Sequence, residues 1–278
     1  MIKSLLVPVD SSAYARSALE HALELGKVYQ ARITGLYVLD VRYLEMPPYL
    51  DYSYAFEAVA PTLVPLDVME QFRAKSERIL NELREAVEKS GLEAETRTEE
   101  GVPSQAIADI GDACDLIIMG KRGEHARWGK DLLGSTAESV VRRSGTPVLL
   151  VEEQSRPVAK MLLMYDGSHS ANRALKLAAD VARRTFASVK VLTVNDDAQQ
   201  GAAVQEEARS YLDAQGLTAE FAIEPGRAAK TALKEVARSP VDLVVIGMQG
   251  HSALHQLILG STAEHLMRSL SLPVLLVP

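Results

Sequence analysis

The chain has 278 residues, 47% of them hydrophobic and 24% charged, with a formal net charge of −7. That composition excludes intrinsic disorder and collagen-like structure, and the length predicts about two domains. The acidic balance argues against general nucleic-acid binding, because a phosphate backbone needs a basic surface.

The elements follow in chain order. Ser4–Val9 is a buried-strand run of leucine and valine. Met1–Asp10 lacks the long apolar stretch and small-residue cleavage site of a secretory signal, so a cytoplasmic protein is expected. Ser11–Tyr29 carries Ala15, Ala18, Leu19, Ala22, Leu23 and Leu25 on a helical face, with Ser11 or Ser12 as N-cap. Arg32–Leu39 is a second strand. Val41–Leu66 follows, with Pro47, Pro48, Pro61 and Pro65 and with Tyr43, Tyr49, Tyr52 and Tyr54. Prolines at that density block a long helix. The segment reads either as a surface excursion packed on its own tyrosines or as a lid or partner surface.

Asp67–Ser90 is a long helix stopped by Gly91, and Ala94–Glu99 is a polar edge strand. Ser104–Asp112 is a short helix, Asp115–Met119 an apolar strand, Ser135–Ser144 a helix and Pro147–Val151 a strand. Glu152–Pro157 is a polar linker, and the same order then repeats. Apolar runs such as Leu116–Met119 and Val274–Val277 fall far short of the ~20 residues that span a bilayer. No membrane segment is expected. A single cysteine, Cys114, excludes an intrachain disulfide and a Cys-rich metal site, and it reads as a small core residue.

The repeat is explicit. Gly134–Val151 and Gly260–Val277 are identical at eleven of eighteen positions, at a constant offset of 126. Asp115–Gly123 pairs with Asp242–Gly250, and Leu5–Leu19 with Met161–Leu175. A period this long means two copies of one domain, 1–152 and 158–278, rather than a solenoid. Alternating strands and helices imply two tandem doubly wound, five-stranded parallel sheets, an α/β, Rossmann-like class. With strand order 3-2-1-4-5, strands one and four meet at the switch point, where such sheets bind ligands. Asp10 and Gly120 leave those strands in the first copy, Asp166 and Gly247 in the second.

The second copy reads Gly247-x-x-Gly250, nine residues, then Gly260-Ser261-Thr262. Glycines permit positive φ and close approach to a ligand, or they are turn and cap residues. Free N–H groups at the helix start, with the Ser261 and Thr262 hydroxyls, suit a phosphate. The loop lacks the Gly-Lys-Ser/Thr ending of the common P-loop.

This pattern resembles the universal stress protein family in its tandem two-domain form, over nearly the whole chain except Val41–Leu66. ATP-binding members of that family carry G-x2-G-x9-G-S/T, which the second copy matches. The resemblance implies an Asp near the adenosine, Asp10 and Asp166, and a valine on the adenine, Val38 and Val194. It places Gly120, Gly123, Gly134, Ser135 and Thr136, then Gly247, Gly250, Gly260, Ser261 and Thr262, around ribose and phosphates. The implied ligand is ATP, alone or with Mg or Mn.

The first copy has ten residues between Gly123 and Gly134, not nine. Its loop is basic, with Lys121, Arg122, Arg127 and Lys130, and Arg122 is a candidate phosphate contact. This stands out because residues 1–152 carry 17 Lys+Arg against 24 Asp+Glu, whereas the remainder carries 13 of each. Trp128 either covers a ligand or packs the loop, and His251 and His255 read as surface residues. No catalytic base is apparent, and N-capping explains Ser135 and Ser261 as well as phosphate contact does.

The sequence therefore favours an ATP-binding regulatory protein of the stress response that acts on an unidentified protein partner. A slow ATPase or phosphotransferase and a nucleotide-free interaction module are the alternatives. Members of the family pair domains through their last strands. Pro147–Val151 and Pro273–Val277 are near copies, so a pseudo-dimer within the chain is expected, and the apolar edge each would otherwise expose favours it. A further homodimer through Val41–Leu66 is left open.

Overall fold

The computed structural model describes residues 1–41, 66–124, 133–249 and 259–278. The proline- and tyrosine-rich stretch 42–65 lies outside them, as do Gly250, Arg127, Trp128, Lys130, His251 and His255.

The first half runs β1 (Ser4–Pro8), α1 (Ala13–Tyr29), β2 (Arg32–Asp40), α2 (Leu66–Lys89), β3 (Ala94–Gly101), α3 (Pro103–Gly111), β4 (Leu116–Gly120), α4 (Ser135–Arg143) and β5 (Val148–Val151). The second repeats it as β6 (Lys160–Met164), α5 (His169–Thr185), β7 (Ser188–Val194), α6 (Ala198–Ala214), β8 (Ala219–Glu224), α7 (Ala228–Arg238), β9 (Leu243–Gly247), α8 (Ser261–Ser269) and β10 (Val274–Val277). Among the described residues no helix is long and apolar enough to cross a membrane.

All ten strands form one sheet, ordered β3-β2-β1-β4-β5-β10-β9-β6-β7-β8. Each half thus has the expected order 3-2-1-4-5, with parallel pairing inside it. The polar run Ala94–Gly101 is an edge strand, as its composition implies. The central strands are apolar on both faces because helices cover both. Leu5 and Val7 point into one core and Leu6 into the other, following the two-residue period of a strand. Leu116 and Ile118 alternate with Ile117 and Met119 in the same way.

The halves join where β5 and β10 pair antiparallel, Leu149 opposite Leu275, Leu150 opposite Val274 and Val148 opposite Leu276. This register is symmetric, since Leu149 and Leu275 are the same position of the repeat. Beside it, α4 and α8 exchange charges in a four-membered ring. Arg142 reaches Glu138 at 3.1 Å and Glu264 at 3.0 Å, and Arg268 reaches Glu138 at 2.7 Å and Glu264 at 3.5 Å.

Helix α1 departs from the simple amphipathic reading. Leu19, Leu23 and Leu25 are only half-buried, whereas Ser17, His21 and Tyr29 are buried. Helix α5 of the second half supplies the reason at Tyr29. It packs against α1, and its Arg184 guanidinium lies 4.7 Å from the Tyr29 ring centroid. At Tyr29, the end of α1 is therefore covered by the other copy.

Candidate functional site

β1 and β4 are hydrogen-bonded neighbours, so their carboxyl ends open side by side. A cavity of about 470 Å³ lies there. Its apolar wall comes from Leu36, Val38, Ile107 and Met119, on β2, α3 and β4. Its polar wall comes from Asp10, Gly120, Arg122, Gly123, Gly134, Ser135 and Thr136. All eight first-copy residues singled out in the sequence thus line one space. An apolar pocket with a few converging polar groups is the usual form of a small-molecule site.

Asp10 organises the rim. Its Oδ1 accepts the Ser12 N–H at 2.8 Å and its Oδ2 accepts the Glu124 N–H at 2.9 Å. Ser12, rather than Ser11, caps α1, its hydroxyl oxygen accepting the Ala15 N–H. Ser11 donates instead to Glu124 Oε2 at 2.5 Å. Lys75, from α2, approaches the same carboxylate oxygen at 2.7 Å. Burial disfavours the Lys75 charge, but Glu124 more than offsets this and holds its pKa above the ordinary lysine value. Lys75, Phe72, Tyr37 and Glu124 all line the cavity, and sequence reasoning missed them. Only the place of Glu124, directly after Gly123, could have marked any of them. Phe72 and Lys75 share a helix face at i, i+3 spacing, which shows that they belong together but not what they face.

The described glycines of the loop do not use positive φ. Gly120, Gly123, Gly134, Gly247 and Gly260 all lie outside the positive-φ region. Gly120, Gly123 and Gly247 need room against the protein itself. A Cβ on Gly120 would stand 2.5 Å from Tyr14 Cβ, and one on Gly123 would stand 2.7 Å from Asp10 Oδ2. Gly247 would meet Ser170 in the equivalent way. Gly134 and Gly260 are the N-cap residues of α4 and α8, neither with a side-chain cap bond. Ser135 and Ser261 are therefore first helical residues, not caps, and N-capping does not explain them. The first α4 bond within the helix runs from the Glu138 N–H to Gly134 O. The N–H groups of Ser135, Thr136 and Ala137 precede that ladder, and these three residues line the cavity.

The basic cluster also needs correction. Lys121 is 4% exposed, and its ammonium turns away from the loop to Glu152 Oε1 at 2.6 Å, Leu270 O at 2.6 Å and Leu272 O at 3.0 Å. It does not offer charge to a phosphate. Arg122 remains on the cavity wall. Cys114 is half-buried and packs on the core beside Ile110. Burial raises its thiol pKa, which fits a packing role.

In the second half Asp166 accepts the Ser168 N–H at 2.9 Å, as Asp10 accepts Ser12. Val194 ends β7, Gly247 ends β9, and Gly260, Ser261 and Thr262 open α8. Gly250 lies outside the described residues. Tyr165 replaces Val9, is buried, and donates from its hydroxyl to Asn172 Oδ1 at 2.8 Å and Glu207 Oε2 at 3.3 Å. The residues lining the described cavity all belong to the first half. Among the described residues no group of three or more His, Cys, Asp or Glu side chains is placed to hold a metal ion.

Comparison with known proteins agrees with this architecture. The family model described as the universal stress protein family matches residues 1–152 and 158–278. Universal stress protein Slr1230 of Synechocystis is 26% identical over 284 residues, covering 99% of each chain. A universal stress protein of Thermus aquaticus is 31% identical over 153 residues, covering 54% of this chain and 99% of its own. The crystal structure of a universal stress protein from Archaeoglobus fulgidus superposes with a TM-score of 0.79 at 25% identity, covering 99% of this chain and 97% of that one. With both halves matched, the chain belongs to the universal stress protein family.

Proposed function

We propose that this chain is an ATP-binding regulatory protein whose first-half cavity holds the nucleotide. The observation that carries the reading is the convergence of Asp10, Val38, Arg122 and the Gly120–Thr136 loop ends on one space at the switch point. Val38 and the apolar wall take the base. Asp10 stands at the ribose. The N–H groups opening α4, together with the Ser135 and Thr136 hydroxyls, take phosphate, where a helix N-terminus favours negative charge. Arg122, on the cavity wall, adds a cation. Any Mg or Mn enters on the phosphates.

Binding rather than turnover is the proposed role, because the rim carboxylates Asp10 and Glu124 are already engaged. Asp10 accepts two backbone N–H groups, and Glu124 holds Ser11 and Lys75. The symmetric β5–β10 join and the charge ring support an intramolecular pseudo-dimer. In it, nucleotide occupancy bears on a protein partner through loop conformation. Nucleotide extracted from the purified protein and identified by mass tests the reading. So does a rise in the unfolding temperature on adding ATP. Absence of both refutes it.

A further inference from the structure

A buried lysine joins the two halves at the root of the glycine loop. Lys121 is the first residue after Gly120, and its backbone closes the loop at both ends. Its N–H donates to Val151 O at 2.9 Å, and its carbonyl accepts the Gly134 N–H at 2.9 Å. Its side chain then leaves the first half. Nζ donates to Leu270 O, at the C-cap of α8, to Leu272 O, and to the linker carboxylate Glu152.

The second half shows what the loop needs without this side chain. There the equivalent residue is Met248. Its N–H donates to Val277 O at 2.7 Å, and its carbonyl accepts the Gly260 N–H at 2.7 Å. The backbone closure is the same, and a buried methionine completes it. The lysine is therefore not required to form the loop. Removing an ammonium from water is costly unless it is fully paired. Burial lowers the Lys121 pKa, and Glu152 opposes that shift. All three partners of the ammonium lie in the linker or the second half. Two carbonyls at the end of a helix are a favourable place for a cation, because the helix dipole is negative there. The same helix, α8, also holds α4 through the Arg268–Glu138 contact, and α4 opens onto the cavity.

We propose that Lys121 is a positioning residue that fastens the two ends of the first-half glycine loop, Lys121 and Gly134, to the end of α8, so that ordering of these ends orders the junction with the second half. In its ligand-dependent form this rests on nucleotide binding in the first-half cavity. Such coupling is reciprocal: what steadies the junction tightens the loop.

The test is hydrogen exchange on the full chain carrying Lys121→Met, which installs the side chain the second half already uses. Without nucleotide, exchange rises about tenfold or more both at Gly134–Ala137 and at Arg268–Leu272, as loss of charge-assisted bonds requires. The distant edge strand Ala219–Glu224 stays unchanged. With ATP, the wild-type chain gains protection in the loop and at Arg268–Leu272, whereas the variant gains it in the loop alone. Glu152→Gln, a milder change that keeps the two carbonyl contacts, gives the same pattern at smaller amplitude. Loosening confined to Arg268–Leu272 in the unliganded variant overturns the proposal. So does ATP-dependent protection of Arg268–Leu272 that persists in Lys121→Met. If ATP protects nothing in the wild-type loop, the nucleotide reading fails, and the unliganded comparison still decides the role of Lys121.

Discussion

Gly123→Ala perturbs the site where the glycine loop meets Asp10. The new Cβ would stand 2.7 Å from Asp10 Oδ2. A free carboxylate could swing aside, but this one is held at both oxygens, by the Ser12 N–H at 2.8 Å and the Glu124 N–H at 2.9 Å. Relief of the clash breaks the second bond, the one that ties the loop to the end of β1. A hydrogen bond to a charged group contributes about 1.5–3 kcal/mol. With a factor of ten for each 1.4 kcal/mol, ATP affinity falls about 10- to 100-fold. Isothermal titration of the wild-type and variant chains measures the change, with thermal unfolding as the check on folding. Gly145→Ala is the control. Its Cβ would lie 3.5 Å from Asp112 Oδ1, an ordinary contact, and its affinity should match the wild type. A folded Gly123→Ala protein that binds ATP within twofold of the wild type refutes the assignment of Asp10 and its loop bond.

Two further outcomes concern the frame around the site. His21 is buried, its Nε2 has no hydrogen-bond partner, and burial lowers its pKa from 6.5 to about 4. The unfolded chain therefore binds a proton first as pH falls. The contribution is complete above pH 6.5 and is lost on the way down to pH 4, a difference of about 3 kcal/mol. Urea midpoints across that range should show the slope, and His21→Gln should flatten it; an unchanged slope assigns the titration elsewhere. Leu149→Ala at the β5–β10 join, where Leu149 and Leu275 are 4% and 3% exposed, should cost about 2–5 kcal/mol. Combination with Leu275→Ala should cost measurably less or more than the sum, because the two side chains share one register position.

Much of this was legible in the sequence because the decisive signals were local or repeated. Continuous apolar runs placed the strands, and the copied Gly134–Val151 and Gly260–Val277 segments marked the glycine loop's helix start and the strands that join. The residues that escaped are those whose meaning depends on a distant partner. Lys121 reads as one of four loop cations, yet its acceptors are 149 and 151 positions away. His21 and Ser17 are buried on α1 although they fall outside its apolar pattern, and nothing local announces it. Lys75 and Phe72 sit on a long charged helix that gives no sign of leaning over a pocket. At Gly120, Gly123 and Gly247 the need for glycine comes from close contacts with Tyr14, Asp10 and Ser170, not from positive φ.

The most direct test of the central claim is a crystal structure of the chain grown with ATP. The account predicts nucleotide density in the first-half cavity, with the base against Val38, the ribose at Asp10 and the phosphates at the start of α4. A cavity without nucleotide at saturating ATP, or nucleotide bound away from Asp10 and Ser135, contradicts it.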